Sequence, residues 1–486
     1  MAEPIEELKA ERLKKINDLR GKGINPFPAR LQVVRHEIKT VIADGIGKTV
    51  NVAGRIRAKR AFGKLIFLVL EDESGRVQLI FKEDGYTEDF KLVESLDVGD
   101  FISVGGQTAL SKTEEFSVMA EKLQLLTKST RPLPSEYYGL NDVEERSRKR
   151  YLDLLMNGES KKVFEQRSKI VYFIRKFLIE ERGYTEVECP VLQPLHGGTR
   201  ARPFKTHHNS LDMELSLRIS NELYLKRLIV GGFEKVFEIG HTFRNEGMDR
   251  NHNPEFTMLE TMHAYADYLY NMDLIEEMFE FVVQNTFGTT EIEYQGTTLS
   301  FKRPWARVSL TELFEKHTGV KFHEIETMDS AFELAKKMNV SVQDFMSPSE
   351  MLLEIFEKVC ITELVQPTLV YDYPADFYPL AKRKVENSKL VESFDIYVAG
   401  MEMGTNWSEQ NDPEALRVAW LAEKEKLEAG NEEAQLLDED FLEAMEYGMP
   451  PTSGIGPGID RWVMILTNQT HLRDVILFPT MKSQGH

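Results

Sequence analysis

Hydrophobic and polar residues alternate between Val50 and Leu126, and this pattern constrains the fold more than any other feature of the chain. A period of two puts successive side chains on opposite faces of a strand, so it predicts β-structure. Five short strands separated by Gly-containing turns fit into about 75 residues, which favours a small closed barrel. The predicted strands are Val52–Arg57, Leu65–Leu70, Val77–Phe81, Asp100–Val104 and Glu115–Val118.

The hydrophobic pattern changes on either side of this barrel, which indicates an α+β multidomain chain. Apolar residues recur at helical spacing before Gly21 and Gly23, and Arg131-Pro132-Leu133-Pro134 is typical of a linker. After the linker, helical patterns are interrupted by short strands. The predicted divisions are a helical extension at 1–48, an OB-fold barrel at 49–128, a linker at 129–145, and an α+β domain at 146–486 with a helical insertion at about 325–362.

The balance of 60 basic and 79 acidic residues gives a formal charge of −19. Taken alone, this argues against binding to nucleic acid, because phosphates are neutralised by Lys and Arg. Local basic clusters could still bind RNA on an acidic protein. The two clusters are Arg146, Arg148, Lys149 and Arg150, and Arg55, Arg57, Lys59, Arg60 and Lys64.

The N-terminal residues, the longest apolar runs and the cysteine count indicate the cellular location of the protein. The N-terminus is acidic and does not resemble a secretory signal, and no apolar run approaches the length that crosses a bilayer. Only Cys189 and Cys360 are present, which leaves almost no material for a disulfide framework. The sequence therefore predicts a cytoplasmic protein that does not bind membranes.

Two stretches combine an arginine with residues suited to a nucleotide. They are Phe243-Arg244-Asn245-Glu246-Gly247, which His252-Asn253-Pro254-Glu255-Phe256-Thr257 closely follows, and Gly454-Ile455-Gly456-Pro457-Gly458-Ile459-Asp460-Arg461. A lone Arg is more often a surface ion pair, and a lone Phe a core residue, but two such stretches in this order favour the functional interpretation. Together they resemble motifs 2 and 3 of the class II aminoacyl-tRNA synthetases, and the surrounding sequence resembles the lysyl-tRNA synthetases.

This resemblance implies an antiparallel-sheet catalytic domain with flanking helices, and an ATP site. Attack of a carboxylate on the α-phosphate brings two anions together, so the reaction needs cationic groups and positioning. By resemblance, Arg244 bridges the α-phosphate and the amino acid carboxylate, and Arg461 holds the γ-phosphate. Both are the expected catalytic residues. Further expected contacts to ATP are Glu246, His252 and Phe256.

The resemblance also implies a Mg²⁺ site at Asp395 and Glu402. Carboxylate oxygens on adjoining strands suit Mg²⁺, which keeps phosphate oxygens and water as further ligands. The family usually has Glu where this chain has Asp395, so the charge is kept but the side chain is shorter. The alternative interpretation is that these acidic residues lie on a solvated strand.

The segments Gly197–Phe204 and Glu222–Arg227 carry the resemblance to the lysine enzymes in particular. It implies that Glu260 and Glu409 hold the side-chain ammonium of L-lysine, since a buried ammonium needs carboxylate partners. The remaining expected lysine contacts are Gly198, Glu222, Arg244, Met262, Thr405 and Trp407. Met262, Thr405 and Trp407 depart from the usual Tyr, Asn and Phe, so an analogue such as ornithine remains an alternative substrate.

Two further sets of residues concern partners. By resemblance, the helix at about 163–182 and the strand ending at Pro190 build a homodimer interface, although an ordinary core helix would read the same way. Arg60, Phe67, Gln78 and Glu115 match positions that read the anticodon of tRNA(Lys); for Phe67, barrel core is the alternative. We interpret His207-His208 as structural, because adjacent residues of a strand point to opposite faces.

The lead hypothesis is therefore ATP-dependent ligation of L-lysine to tRNA(Lys) through a lysyl-adenylate. An aspartyl or asparaginyl enzyme shares the domain order, but Glu260 and Glu409 oppose an acidic substrate. A lysyl transferase that acts on a protein is a further alternative, but members of that branch lack the N-terminal barrel that this sequence predicts. A non-catalytic RNA-binding paralogue would explain Met262 and Thr405 as drift, although the arginines and metal carboxylates are retained.

Overall fold

The computed structural model describes residues 5–84, 86, 90–134, 142–343, 346–378, 380–428 and 436–483. The chain divides into two compact units, Met1–Gly139 and Leu140–His486. Part of the predicted linker, 135–141, lies outside the described residues. Within the described residues, no helix combines the length and the apolar character needed to span a bilayer.

The first unit is a closed five-stranded barrel with strand order β1-β2-β3-β5-β4, and β1 pairs with β4 to close it. Neighbouring strands are antiparallel except β3 and β5. The small closed barrel predicted from the alternation is confirmed. Its strands are β1 (Thr49–Phe62), β2 (Leu65–Glu71), β3 (Arg76–Lys82), β4 (Phe101–Leu110) and β5 (Phe116–Thr127), and its helices are α1 (Ile5–Gly21), α2 (Ile38–Ala43) and α3 (Phe90–Ser95).

The period of two explains how the barrel strands divide between its core and its surface. Ile66, Leu68 and Leu70 are buried in the barrel core, whereas Phe67 between them is only half-buried. Leu19 of α1 and Ile38 of α2 belong to the same core. Phe67 therefore lies on the outer surface of the barrel, which excludes the core interpretation of its aromatic ring.

The second unit is built on a mixed eight-stranded sheet of order β14-β15-β16-β17-β18-β11-β10-β6. Its pairs are antiparallel except β14–β15 and β10–β6. The predicted α+β class is confirmed. The sheet strands are β6 (Thr185–Glu186), β10 (Lys235–Phe243), β11 (Glu255–Ala264), β14 (Ala306–Ser309), β15 (Thr368–Tyr371), β16 (Ser393–Val398), β17 (Met401–Ser408) and β18 (Thr452–Pro457), and the smaller sheets hold β7 (Leu192–Gln193), β8 (Lys205–His208), β9 (Met213–Leu217), β12 (Glu291–Tyr294) and β13 (Thr297–Ser300).

Helices cover this sheet and include two within the stretch predicted as helical at 325–362. A π-helical turn, Phe177–Glu181, extends α6, and Gly183 follows it with a φ of 71°. The helices are α4 (Val143–Arg148), α5 (Arg150–Met156), α6 (Gly158–Lys176), α7 (Glu222–Val230), α8 (Tyr268–Phe287), α9 (Leu310–Thr318), α10 (Met328–Lys337), α11 (Pro348–Val359), α12 (Pro413–Glu428), α13 (Glu439–Glu446) and α14 (Ile459–Leu466), with 3-10 turns at Phe322–Glu324, Ile361–Glu363 and Leu472–Asp474.

The two faces of the central sheet have different roles. Leu259, Phe394 and Ile455 face the main hydrophobic core, to which α6, α8 and α14 contribute. Their neighbours in sequence, such as Glu260 and Asp395, point to the opposite face because side chains alternate along a strand. One face of the sheet therefore anchors the fold, and the other is free to carry polar groups.

The basic cluster at 146–150 is paired within its own unit. Arg146 and Arg150 both contact Asp153, each at 2.7 Å, and Arg150 is buried. Arg148 and Lys149 each form an ion pair 2.6 Å long with a glutamate four residues earlier. Most of the charges in this cluster are therefore balanced by carboxylates of the same unit.

Candidate active site

Two adjoining cavities, of about 370 and 60 Å³, open on the polar face of the central sheet. Gly198, Arg244, Thr405 and Trp407 line both of them. The larger cavity is also lined by Glu246, His252, Phe256, Asp395, Glu402 and Arg461, and the smaller by Glu222, Glu260, Met262 and Glu409. All the residues that the sequence predicts for ATP, metal and lysine are therefore brought to one continuous site.

Arg244 lies at the junction of the two cavities, just after β10. Its backbone N–H donates to Pro254 O at 2.9 Å, and its guanidinium stacks 5.2 Å from the ring centre of Phe256. The Nε atom is buried and has no hydrogen-bond partner among the described residues. Burial lowers the pKa of Arg244, against the opposing effect of Glu246. A guanidinium with a buried, unsatisfied donor is suited to receiving an anion.

Arg461 lies on the first turn of α14, at the opposite side of the larger cavity. Its Nη1 atom donates to the carbonyl oxygen of Glu402 at 2.7 Å, and its Nη2 atom lies 3.2 Å from His252 Nε2. The other ring nitrogen of His252 is 2.8 Å from Asp249 Oδ2. This chain of contacts orients the arginine and the imidazole toward the same space.

A buried network fixes the start of α14 against the sheet. Asp460 accepts a hydrogen bond from the Thr257 backbone N–H at 2.8 Å and forms an ion pair with Arg167 of α6 at 2.5 Å. Arg167 also donates to the Thr257 hydroxyl at 3.0 Å. The two arginine-bearing stretches are thus held in register by side chains that neither stretch alone would reveal.

Asp395 and Glu402 face the larger cavity from β16 and β17. Tyr378 donates its hydroxyl to Asp395 at 2.9 Å, and Asp395 is buried. Burial, and then the charge of Glu402, raise the pKa of Asp395 well above its ordinary value. A divalent cation beside Asp395 and Glu402 would offset the burial and the negative charge that disfavour the ionised form of Asp395, so these residues fit Mg²⁺. Within the described residues, no cluster of three or more potential metal-binding side chains is present.

The smaller cavity ends in carboxylates that are removed from solvent. Glu260 of β11 accepts hydrogen bonds from the Ser220 hydroxyl at 3.0 and 3.1 Å. Burial, and then the charge of Glu222, raise its pKa to about 7. Burial also raises the pKa of Glu409 to about 8, although the nearby Lys226 ammonium opposes this effect. Because burial is the main cause of both raised pKa values, a bound cation would favour the ionised form of these carboxylates.

Lys226 is the buried cation at this end of the site. Its Nζ atom lies 2.5 Å from Glu222 Oε1 and 2.5 Å from Glu409 Oε2. Trp407 donates its indole N–H to the same Glu409 oxygen at 2.8 Å. Trp407, which the sequence predicts as a lysine contact, is therefore also a hydrogen-bond donor that fixes one of the carboxylates.

Glycine at two positions keeps this end of the cavity open. Gly198 has a φ of 91°, and a Cβ there would lie 2.9 Å from Ser220 Oγ. A Cβ on Gly454 would lie 2.5 Å from Thr261 O and 2.7 Å from the Met262 side chain. A side chain at either position would strain the backbone or fill the pocket.

The geometry agrees with what the chain is similar to. Residues 142–482 match the family of tRNA synthetases class II (D, K and N), and residues 50–126 match the OB-fold nucleic acid binding domain. The chain belongs to the class II tRNA synthetases. It is 46% identical over 482 residues to a lysine–tRNA ligase of Carboxydothermus hydrogenoformans, covering 98% of each chain.

Two further relatives support membership of the lysine–tRNA ligase family. A lysine–tRNA ligase of Thermoanaerobacter pseudethanolicus is 44% identical, covering 99% of this chain and 97% of the relative. One from Bacillus subtilis is also 44% identical, with 97% of each chain covered. Nothing in these similarities supports the ornithine-specific or the non-catalytic alternative.

The predicted anticodon-reading residues of the synthetase lie together on the barrel surface. Arg60 of β1 is directly opposite Phe67 of β2, and Gln78 donates to Glu115 at 2.5 Å. The Phe67 ring packs edge-on against Phe62 at 6.1 Å. This surface combines an exposed aromatic face with donors and acceptors, as single-stranded RNA requires.

The histidine pair at 207–208 takes a structural position. Two residues near the cavities were not predicted from the sequence. His207 contacts Glu214 at 2.7 Å, whereas His208 contacts Ser210 at 3.3 Å, which agrees with the structural interpretation of the pair. The sequence reasoning did not single out Lys226 or Tyr378. The i, i+4 spacing of Glu222 and Lys226 on a helix is a signal that could have identified the first of these.

Proposed function

We propose that this chain is an ATP-dependent ligase that joins L-lysine to tRNA(Lys) through a lysyl-adenylate. The observation that carries the proposal is the closed end of the smaller cavity, where three buried carboxylates, Glu222, Glu260 and Glu409, surround the space beside Arg244. Such a pocket repels aspartate, and asparagine would bring no side-chain cation to it. An amino acid with a side-chain ammonium satisfies it.

In the proposed first step, a carboxylate oxygen of lysine attacks the α-phosphorus of ATP. The bond from that phosphorus to the bridging oxygen breaks, and pyrophosphate leaves. Arg244, with its unsatisfied Nε donor, neutralises the approaching carboxylate and α-phosphate, and Arg461 holds the γ-phosphate. Phe256 stacks on the adenine, while Glu246 and His252 contact the nucleotide. A hydroxyl of the terminal adenosine of tRNA then attacks the lysyl carbonyl, and AMP leaves.

The test of the proposal is amino-acid-dependent exchange of pyrophosphate into ATP, measured with the standard amino acids and ornithine. We expect signal with lysine and none with aspartate or asparagine. Signal with ornithine alone would mean that Met262, Thr405 and Trp407 have retuned the pocket. Silence with every amino acid would reject the activity.

We propose that Asp395 and Glu402 hold Mg²⁺, which when bound supplies positive charge to the phosphates of ATP. Replacing Asp395 with Asn removes one ligand charge while preserving an acceptor for Tyr378. The Mg²⁺ concentration for half-maximal exchange should then rise by roughly 10–100-fold, a range seen when metal-site residues are altered. A magnesium titration of the exchange rate measures this change. Asp329→Asn, which alters a carboxylate on α10, is the control. An unchanged Mg²⁺ concentration for half-maximal exchange in Asp395→Asn would contradict the assignment.

We propose that the barrel surface at Arg60, Phe67, Gln78 and Glu115 reads the anticodon. Replacing Phe67 with Ala removes one stacking face, worth about 1–3 kcal/mol per base. The KM for tRNA(Lys) in aminoacylation should rise by roughly 5–150-fold, while pyrophosphate exchange without tRNA stays unchanged. Leu110→Ala, which removes an exposed side chain from another barrel strand, serves as the control. Equal loss in both assays would point to damage of the whole protein.

We also propose a homodimer built on α6 and β6. Tyr172 and Ile179 of this segment remain 57% and 45% exposed, and exposed apolar side chains on an element of this kind support an association interface. Sedimentation equilibrium tests the proposal, and a monomer at micromolar concentration would reject it.

A further inference from the structure

Lys226 has an unusual position for a lysine on a helix. Its side chain is buried, and α7 also carries Leu223, Leu225 and Ile229, which belong to a buried hydrophobic cluster. Burial alone would lower the pKa of its ammonium, but the carboxylates of Glu222 and Glu409 outweigh this and raise it. The charged form is therefore the one held in the pocket.

A buried ion pair of this kind is weak evidence for a stabilising role. Removing two or more charges from water costs several kcal/mol per ion, and apolar replacements of similar size often stabilise a protein. Methionine would fill nearly the same volume against the apolar side of α7. The position of Lys226 between two pocket carboxylates therefore points to a role in the site.

The charges that line the pocket, or that pair with its lining, come from four elements. Helix α7 supplies Glu222, which lines the pocket, and Lys226, which pairs with the lining carboxylates Glu222 and Glu409. Strand β11 supplies Glu260, the residue after β17 supplies Glu409, and the loop after β10 supplies Arg244. Ser220 and Trp407 add neutral donors to Glu260 and Glu409. With all groups ionised, the closed end carries three negative charges and one positive charge.

This balance matches an amino acid that bears two ammonium groups. Two substrate ammoniums would bring the closed end to neutrality, and the substrate carboxylate would be neutralised by Arg244 at the junction of the cavities. Without Lys226, one carboxylate would be left over, and a buried carboxylate without a cation takes up a proton.

Resting on the proposed function, we propose that Lys226 is a positioning and specificity-determining residue, whose ammonium joins Glu222 to Glu409 and sets the pocket charge for an α-amino acid with a second amine. It need not touch the substrate. It fixes one oxygen of each carboxylate, so that the other oxygens are free to receive the two ammoniums of the substrate.

The test is lysine-dependent exchange by three variants of the full chain. Lys226→Met keeps the length but removes the charge, Lys226→Arg keeps the charge, and Lys235→Met is a control lysine outside the site. We expect Lys226→Met to raise the KM for lysine by about 100-fold, since it leaves two buried carboxylates without their cation. The KM for ATP should stay within about twofold of the wild type. Lys226→Arg keeps the positive charge, so its KM for lysine should stay within about tenfold of the wild-type value.

The pH profile separates positioning from a merely structural role. In Lys226→Met, Glu222 and Glu409 would ionise only at higher pH, so the KM for lysine should fall steeply between pH 7 and 9, more than in the wild type. If the Met variant unfolds, Lys226→Gln, which keeps a donor without charge, takes its place. A wild-type KM in the uncharged variants, or equal losses for lysine and ATP, would overturn the inference. Silence of the wild type with lysine would instead reject the proposed function, and the inference with it.

Discussion

Replacing Arg244 with Ala is expected to lower kcat/KM for lysine-dependent exchange by about 10³-fold. The guanidinium at the junction of the cavities is proposed to neutralise both anions as they meet, and removal of one such donor typically costs 10²–10³-fold. Loss of a full charge belongs at the upper end of that range. Lys at this position should restore only part of the rate, because a single ammonium cannot contact two anions with the geometry of a guanidinium.

The same variant makes an unusual prediction for stability. Most buried arginines are paired, so their loss unfolds a protein, but Arg244 has an unsatisfied Nε and a pKa lowered by burial. We therefore expect Arg244→Ala to have a Tm equal to or above that of the wild type. Calorimetry beside the exchange assay measures this, with Arg303→Ala as a surface control. Loss of activity together with a large drop in Tm would show that Arg244 is structural.

Replacing Glu260 with Gln should raise the KM for lysine by roughly 150- to 5,000-fold and leave the KM for ATP unchanged. Gln retains the size of Glu and an acceptor for the Ser220 hydroxyl, but it provides no charge for the substrate ammonium. Leaving a buried charge unpaired costs about 3–5 kcal/mol, which sets the expected range. Pyrophosphate exchange measured at varied lysine concentration, and then at varied ATP concentration, gives the two KM values separately. Equal effects on the two constants would contradict a role in the lysine pocket.

The raised pKa of Glu260 gives this variant a defined dependence on pH. The folded protein holds the Glu260 proton up to about pH 7, whereas the unfolded chain releases it near the ordinary value of 4.5. Ionisation in the folded state therefore costs stability, and the cost appears as pH rises from 4.5 through 7. At pH 8 the Gln variant should be more stable than the wild type by about 3 kcal/mol. At pH 4 the difference should vanish, as thermal unfolding at both values would show.

The same titration should affect substrate binding by the wild type. Lysine binds to the ionised form of Glu260, so its KM should fall as pH rises from 6 to 8. In Glu260→Gln this part of the pH dependence should disappear. Its persistence in the variant would assign the titration to another group, such as Glu409.

The barrel and much of the site could be predicted because their signals are local. Alternation in β2 decides that Phe67 faces outward between two buried neighbours, and the arginine-bearing stretches are short and contiguous. The pairing of Arg148 and Lys149 with glutamates four residues earlier could also have been predicted from helical spacing.

The remaining features depend on contacts between distant parts of the chain. Lys226 is typical of a solvated helix face until Glu409 is brought beside it by β17. Asp460 has no visible partner in its own stretch, because Arg167 and Thr257 come from other elements. Local pattern predicts which elements form, whereas the pairing of charges across elements is set by how the helices and strands pack.

The glycine at 454 makes the pocket easier to shrink than to enlarge. Because main-chain atoms already form its floor there, no substitution can remove further atoms, and every side chain adds some. Variants that accept longer amines must therefore arise at the walls, through Met262 or Trp407. Changes at the floor can only exclude substrates, so selection for a wider range of amino acids and selection for a narrower one would act on different residues of the same cavity.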